Sequence, residues 1–121
     1  MINYFSDEEL QCPCCKTLVF DYSFRIQLNH ARYIANIPFN ITSAYRCVAY
    51  NEKIGSKPTS SHTKGVAVDI SVSTSYERFK ILEALIYAGF NRIGIGSDFI
   101  HIDNDAKKAQ EVCWDYYPGE D

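Results

Sequence analysis

The run Val66-Ala67-Val68-Asp69-Ile70-Ser71-Val72 constrains the fold more than any other stretch of this chain. It reads as a core strand, with Val68 and Ile70 on one face and Asp69 on the other. A carboxylate inside an apolar strand is expensive to bury alone, so the fold has to bring Asp69 a partner. Phe99-Ile100-His101-Ile102-Asp103 has the same character: His101 faces away from Ile100 and Ile102. A sheet that pairs these two strands brings an imidazole to the carboxylate.

His62 lies seven residues before Asp69, at the end of the loop feeding that strand. His62, Asp69 and His101 can therefore converge on one metal ion. Taken singly, His101 reads as a satisfied core histidine, and Asp69 as a loop cap or a lysine partner. Taken together the balance shifts, because Gly65 and Ala67 leave room for close backbone approach beside the ligands. A set of two histidines and one aspartate with an open fourth position suits zinc better than calcium or magnesium, which prefer oxygen shells. Asp98 is the preferred base beside the metal; it sits in a turn, where Asp is also common for local reasons. Asp103 is the competing base, or a group that orients a ligand. Arg46 ends a strand just before the loop carrying His62, and its guanidinium suits a carboxylate or a developing oxyanion. Ser60 and Ser61 each offer a hydroxyl to a substrate carboxylate. Tyr45, Tyr50 and Asn51 are candidates to line the cleft.

Around these residues the pattern predicts an α+β fold: a small, mostly antiparallel sheet packed against helices. Ser6 and Glu9 match a capping box for a short helical turn near Ser6–Leu10. Apolar spacing predicts a helix over 22–36, ended by Pro38. Residues 40–46 read as a strand, and 47–64 mainly as loop. Thr74 and Glu77 repeat the capping-box pattern and open a helix running to Ala88, with Gly89 as its stop. Arg92–Gly96 and Phe99–Asp103 read as a hairpin, Lys107–Trp114 as a last helical piece, and Pro118–Asp121 as a frayed tail. At 121 residues without repeats or linkers, one domain spanning 1–121 is expected.

A net charge of -3 gives no support for nucleic-acid binding, and no apolar run approaches a membrane span. The start of the chain lacks the basic and apolar regions of a secretory signal. The expectation is a monomer made in a cytoplasm, with neither nucleic acid nor membrane as partner. Five cysteines, an odd count, argue against a disulfide framework. Cys12-Pro13-Cys14-Cys15 is spaced like half a structural zinc site, with Cys47 as a contributor if it lies close. Ordinary thiols are the preferred reading.

The pattern Ser60-x-His62-x-x-Gly65-x-Ala67-x-Asp69, followed by Asp98-x-x-His101, resembles the zinc D-alanyl-D-alanine carboxypeptidases and their relatives. Those include D-alanyl-D-alanine dipeptidases and the L-alanyl-D-glutamate endopeptidases of phage endolysins. Residues 4–15 are similar to the opening of the short phage-type members, and Ile41–Arg46 with Asn51 and Gly55 to a later segment. The resemblance implies a hedgehog/D-Ala-D-Ala peptidase-like sheet cradling Zn2+. It implies zinc ligands His62, Asp69 and His101, a base at Asp98, Arg46 stabilising the tetrahedral intermediate, and Ser60 contacting substrate. The implied substrate is a peptide bond in bacterial peptidoglycan, cut by a phage lysin, a virion-associated protein or a host enzyme acting on the cell wall. The rivals are a zinc-binding module without catalysis and a cytoplasmic D-Ala-D-Ala dipeptidase.

Overall fold

The computed structural model describes residues 3–116, so the tail from Pro118 lies outside the described residues. The capping box forms: Ser6 Oγ accepts from the Glu9 N–H and Glu9 accepts from the Ser6 N–H, opening α1 (Asp7–Leu10). An irregular segment leads to α2 (Tyr22–Ala35), capped by Asp21 and ended by Asn36 in the left-handed region at φ 54°. Then follow β1 (Ile41–Ser43), α3 (Val48–Lys53), a 3-10 turn (Ser61–Lys64), β2 (Ala67–Ser71) and α4 (Ser75–Tyr87). The chain finishes with β3 (Arg92–Ile95), β4 (Phe99–Asp103) and β5 (Val112–Asp115). Thr74 caps α4 as expected, but Glu77 reaches one residue further back, to the Ser73 N–H.

The five strands form one sheet in the order β1-β2-β4-β3-β5. Every pairing is antiparallel except β3 with β5. The α+β reading therefore holds, with a mixed sheet. Alternation divides its faces. Val68, Ile70, Ile93, Ile100 and Ile102 pack against Phe24, Leu28 and Ala31 of α2 and Ile81, Ala84 and Leu85 of α4. Burying a Leu or Phe side chain is worth roughly 1.5–3 kcal/mol, so this two-helix layer contributes substantially to stability. The opposite face of β2 and β4 is left for polar groups.

Three local expectations are corrected. The strand over 40–46 is only three residues long, and its register against β2 shifts between Ile41 and Ser43; beyond it the chain turns, with the Tyr45 N–H donating to the Leu10 carbonyl and the Arg46 N–H to the His62 carbonyl. The polar stretch 47–64 holds α3 and the 3-10 turn. The helical piece over Lys107–Trp114 is instead a turn followed by β5. Glu111 at φ 58° marks the break, and parallel pairing with β3 outweighs local propensity. Among the described residues, no helix is long and apolar enough to cross a membrane.

Candidate metal centre

Register places the two central groups. Asp69 on β2 stands directly opposite His101 on β4. His101 Nδ1 lies 2.9 Å from Asp69 Oδ1, and His62 Nε2 lies 3.5 Å from the same oxygen. His62 arrives from the 3-10 turn, which Ser60 caps and Gly65 ends. Gly65 has φ 72°, and a Cβ there would overlap the Val19 carbonyl. Its close approach is thus to the N-terminal segment, whose Asp21 N–H donates to the Gly65 carbonyl. One ligand atom from each of His62, Asp69 and His101 falls within 4.8 Å of the others.

The remaining nitrogens are already assigned. A carbonyl can only accept, so the His62 contact of 2.7 Å to the Ala44 oxygen puts a proton on Nδ1 and leaves the Nε2 lone pair facing the cleft. His101 Nε2 donates to Asp103 Oδ2 at 2.8 Å, which turns Nδ1 toward Asp69. A carboxylate behind a metal-ligating histidine fixes its tautomer and raises its basicity. Asp103 is in turn held at 2.6 Å by the Arg92 Nε, inside the sheet. Three nitrogen and oxygen donors, converging and oriented from behind, fit the donor set of a catalytic zinc ion.

The electrostatics follow from this packing. Burial would raise the Asp69 pKa, but the His101 and His62 rings against its carboxylate hold it well below the usual carboxylate range. Burial would lower His101, but its bonds to Asp103 and Asp69 raise it. Burial likewise opposes ionisation of Asp103, and His101 and Arg92 outweigh it. The charges compensate within the cluster, as buried charges must.

The cluster forms the floor of a cleft of about 470 Å³. Arg46 stands on one side, its Nε donating to Ser43 Oγ and its Nη1 to Asn51 Oδ1 and Ser56 Oγ. This clamp brings Nη2 to 3.8 Å from Asp69 Oδ2. Asn51 is therefore a positioning group for Arg46, and Tyr50 lines a separate pocket behind it. Ser60 lines the cleft, and its Oγ accepts from the His62 N–H. Ser61 Oγ instead donates to Asp105 and accepts from Lys108.

Asp98 is not brought into the cleft. It lies exposed in the turn between β3 and β4, where its carbonyl accepts from the Val72 N–H. Among the described residues, the carboxylates lining the cleft are Asp69 and Asp103. The sequence reasoning missed Lys57, beside the Arg46 clamp, and the far wall formed by Lys108, Phe99, Trp114 and Tyr116. Trp114 lies 5.7 Å, centroid to centroid, from the His101 ring and stacks on Arg92. Gly94 makes room for it, because a Cβ there would come within 2.7 Å of Trp114 and Tyr116. Burial alternates along Val112-Cys113-Trp114-Asp115, but three of these four residues are apolar, so the residue types carried no period of two.

No curated protein matches this chain. A family model described as peptidase M15 matches residues 3–103, which include His62, Asp69 and His101 and stop short of Lys108, Trp114 and Tyr116. With most of its length matched and three zinc-type donors gathered at the floor of its cleft, the chain belongs to the peptidase M15 family of zinc metallopeptidases.

Proposed function

We propose that this protein is a zinc peptidase that hydrolyses a peptide bond of bacterial peptidoglycan, with His62 Nε2, Asp69 and His101 Nδ1 as the metal ligands. The observation that carries the reading is the direct register of Asp69 with His101, backed by Asp103 and Arg92. Zinc held there would polarise the scissile carbonyl and acidify water. Arg46 binds the oxygen that becomes negative as the carbonyl turns tetrahedral, and its clamp by Ser43, Asn51 and Ser56 removes the cost of orienting it. Lys57 and Lys108 give the rim a positive field suited to the carboxylates of stem peptides, and Ser60 offers them a hydroxyl. Trp114, Tyr116 and Phe99 form an apolar wall that shields the cleft from water. Asp98 is the proposed base: its exposed turn would have to fold over the cleft on substrate binding for its carboxylate to take a proton from the attacking water and return it to the leaving nitrogen. Its neighbour Phe99 lines the cleft, and both carboxylates inside the cleft are committed to other groups.

The exposed position of Asp98 also favours a second reading, a zinc-binding module without catalysis. Digestion of purified peptidoglycan, followed by mass spectrometry, separates the two. New peptide termini with the zinc-loaded protein, absent after chelation and in Asp98→Ala, support the peptidase and identify the bond. Free D-Ala-D-Ala offered beside murein tests the dipeptidase alternative. No cleavage by zinc-loaded protein sinks the enzymatic reading, and full activity in Asp98→Ala removes Asp98 from it. The cell wall as the site of action, and a phage lysin as the kind of protein, belong to the same proposal.

A further inference from the structure

Away from the cleft, a second group of metal-type donors converges. Cys12, Cys14, Cys15 and Cys47 each place a sulfur within 4.8 Å of the others. Cys12 and Cys14 Sγ are 3.7 Å apart, and Cys14 and Cys47 Sγ are 3.5 Å apart. Tetrahedral zinc with Zn–S bonds of about 2.3 Å separates its sulfurs by about 3.8 Å. A disulfide needs them at ~2.05 Å, and all five cysteines are free. We propose that these four cysteines form a tetrathiolate site for a structural zinc ion.

The local backbone is built for such a site. Cys12-Pro13-Cys14-Cys15 is a tight turn closed by the Lys16 N–H donating to the Cys12 carbonyl, with Lys16 at φ 60°. The Cys12 N–H donates onward to the Thr17 carbonyl. The fourth sulfur comes from 35 residues beyond Cys12, just after Arg46. Backbone donors already point at the sulfurs: the Cys47 N–H lies 3.4 Å from Cys12 Sγ, and the Tyr50 N–H lies 3.4 Å from Cys47 Sγ. Such N–H donors stabilise thiolates, the form that binds metal.

The site has a structural purpose. It ties the irregular segment after α1 to the corner between β1 and α3, beside the Tyr45 N–H that donates to the Leu10 carbonyl. That corner carries the Ala44 carbonyl that orients His62, and Arg46. Outside the ion, few regular hydrogen bonds hold the turn, so metal binding supplies the ordering free energy. The site acts on the cleft only through this corner.

Thiol alkylation on the full-length protein tests the proposal independently of any peptidase assay. Cys14, Cys15 and Cys113 are exposed. In reduced, zinc-loaded protein, iodoacetamide should label Cys113 alone; after chelation Cys14 and Cys15 should become labelled as well. Equal labelling of Cys14 and Cys15 with and without zinc overturns the site. Cobalt reconstitution gives a second readout. A thiolate-to-cobalt charge-transfer band should appear in wild type, persist in His62→Ala and be lost in Cys14→Ser. No such band in wild type also overturns it, whatever the peptidase result.

Discussion

The two donor clusters bring their ligand atoms equally close, within 4.8 Å, yet by opposite means. The His62–Asp69–His101 set stands on paired strands. Five register pairs between β2 and β4 fix Asp69 against His101, and both imidazoles are buried and hydrogen-bonded from behind. The thiol set stands on a turn and a helix start, and two of its sulfurs face solvent. The first is organised by the sheet before any metal arrives. The second rests on a turn and a helix start, so a bound metal would supply more of its ordering. A site that does chemistry benefits when its ligands are rigid before metal and substrate bind, whereas a site that staples two segments contributes its binding energy to the fold.

The sharpest way to break this comparison is Asp69→Ala. It should reduce peptidase activity to the level of the chelated protein while leaving the thiolate–cobalt band intact. Loss of both would mean the clusters are not independent. Arg46→Ala comes next, with kcat falling roughly 100- to 1,000-fold, as when an oxyanion donor is removed. Zinc content by mass spectrometry should stay unchanged; a mere rise in KM would reassign Arg46 to uniform substrate binding. Asp103→Asn should weaken metal binding at the histidine site about 10- to 100-fold, measured by competition with a chelator. Unchanged affinity would show that register alone orients His101. The zinc-dependent rise in Tm, in contrast, should survive His62→Ala and be largely lost in Cys14→Ser. In a domain of this size about 1 kcal/mol corresponds to about 4 °C or more. If the rise tracks His62 instead, the contrast between a rigid and a stapled site fails.

What could be read from the sequence follows the same division. Strand alternation around Asp69 and His101 identified the two central strands, the hairpin and the histidine–aspartate set, because a period of two is a local signal. Both caps, Ser6 and Thr74, were legible for the same reason. The far wall was not, because β5 is set by parallel pairing with β3, a contact between distant parts of the chain. Asp98 shows the limit of spacing as a guide. Phe99, His101 and Asp103 share the cleft face of β4, so a residue three positions before His101 does not inherit that face from the strand. The convergence of Cys47 with Cys12 depended on the corner after β1, where no periodicity exists to read.

The smallest effect concerns the network that supports the cleft from below. Asp105 is buried, and its carboxylate accepts from Ser61 and from Lys64 at 2.7 Å. Burial would raise its pKa, but the Lys64 and Ser61 bonds draw it from 3.8 down to about 2. A folded-state pKa below the unfolded one stabilises the fold above the unfolded value, and that stability is lost as pH falls through the folded one. The contribution of Asp105 is therefore complete above about pH 4 and fades towards pH 2. Asp105→Asn should cost roughly 1.5–3 kcal/mol at neutral pH, the range of hydrogen bonds to a charged group. Denaturant melts of both proteins at pH 7 and near pH 2 provide the check, and the gap between them should narrow in acid. A gap that stays constant would show that the Asp105 side chain matters by shape rather than by charge. His62 would then owe its position to the Ala44 carbonyl and Gly65, and the sheet site would be still less dependent on ionisation than its rigidity already suggests.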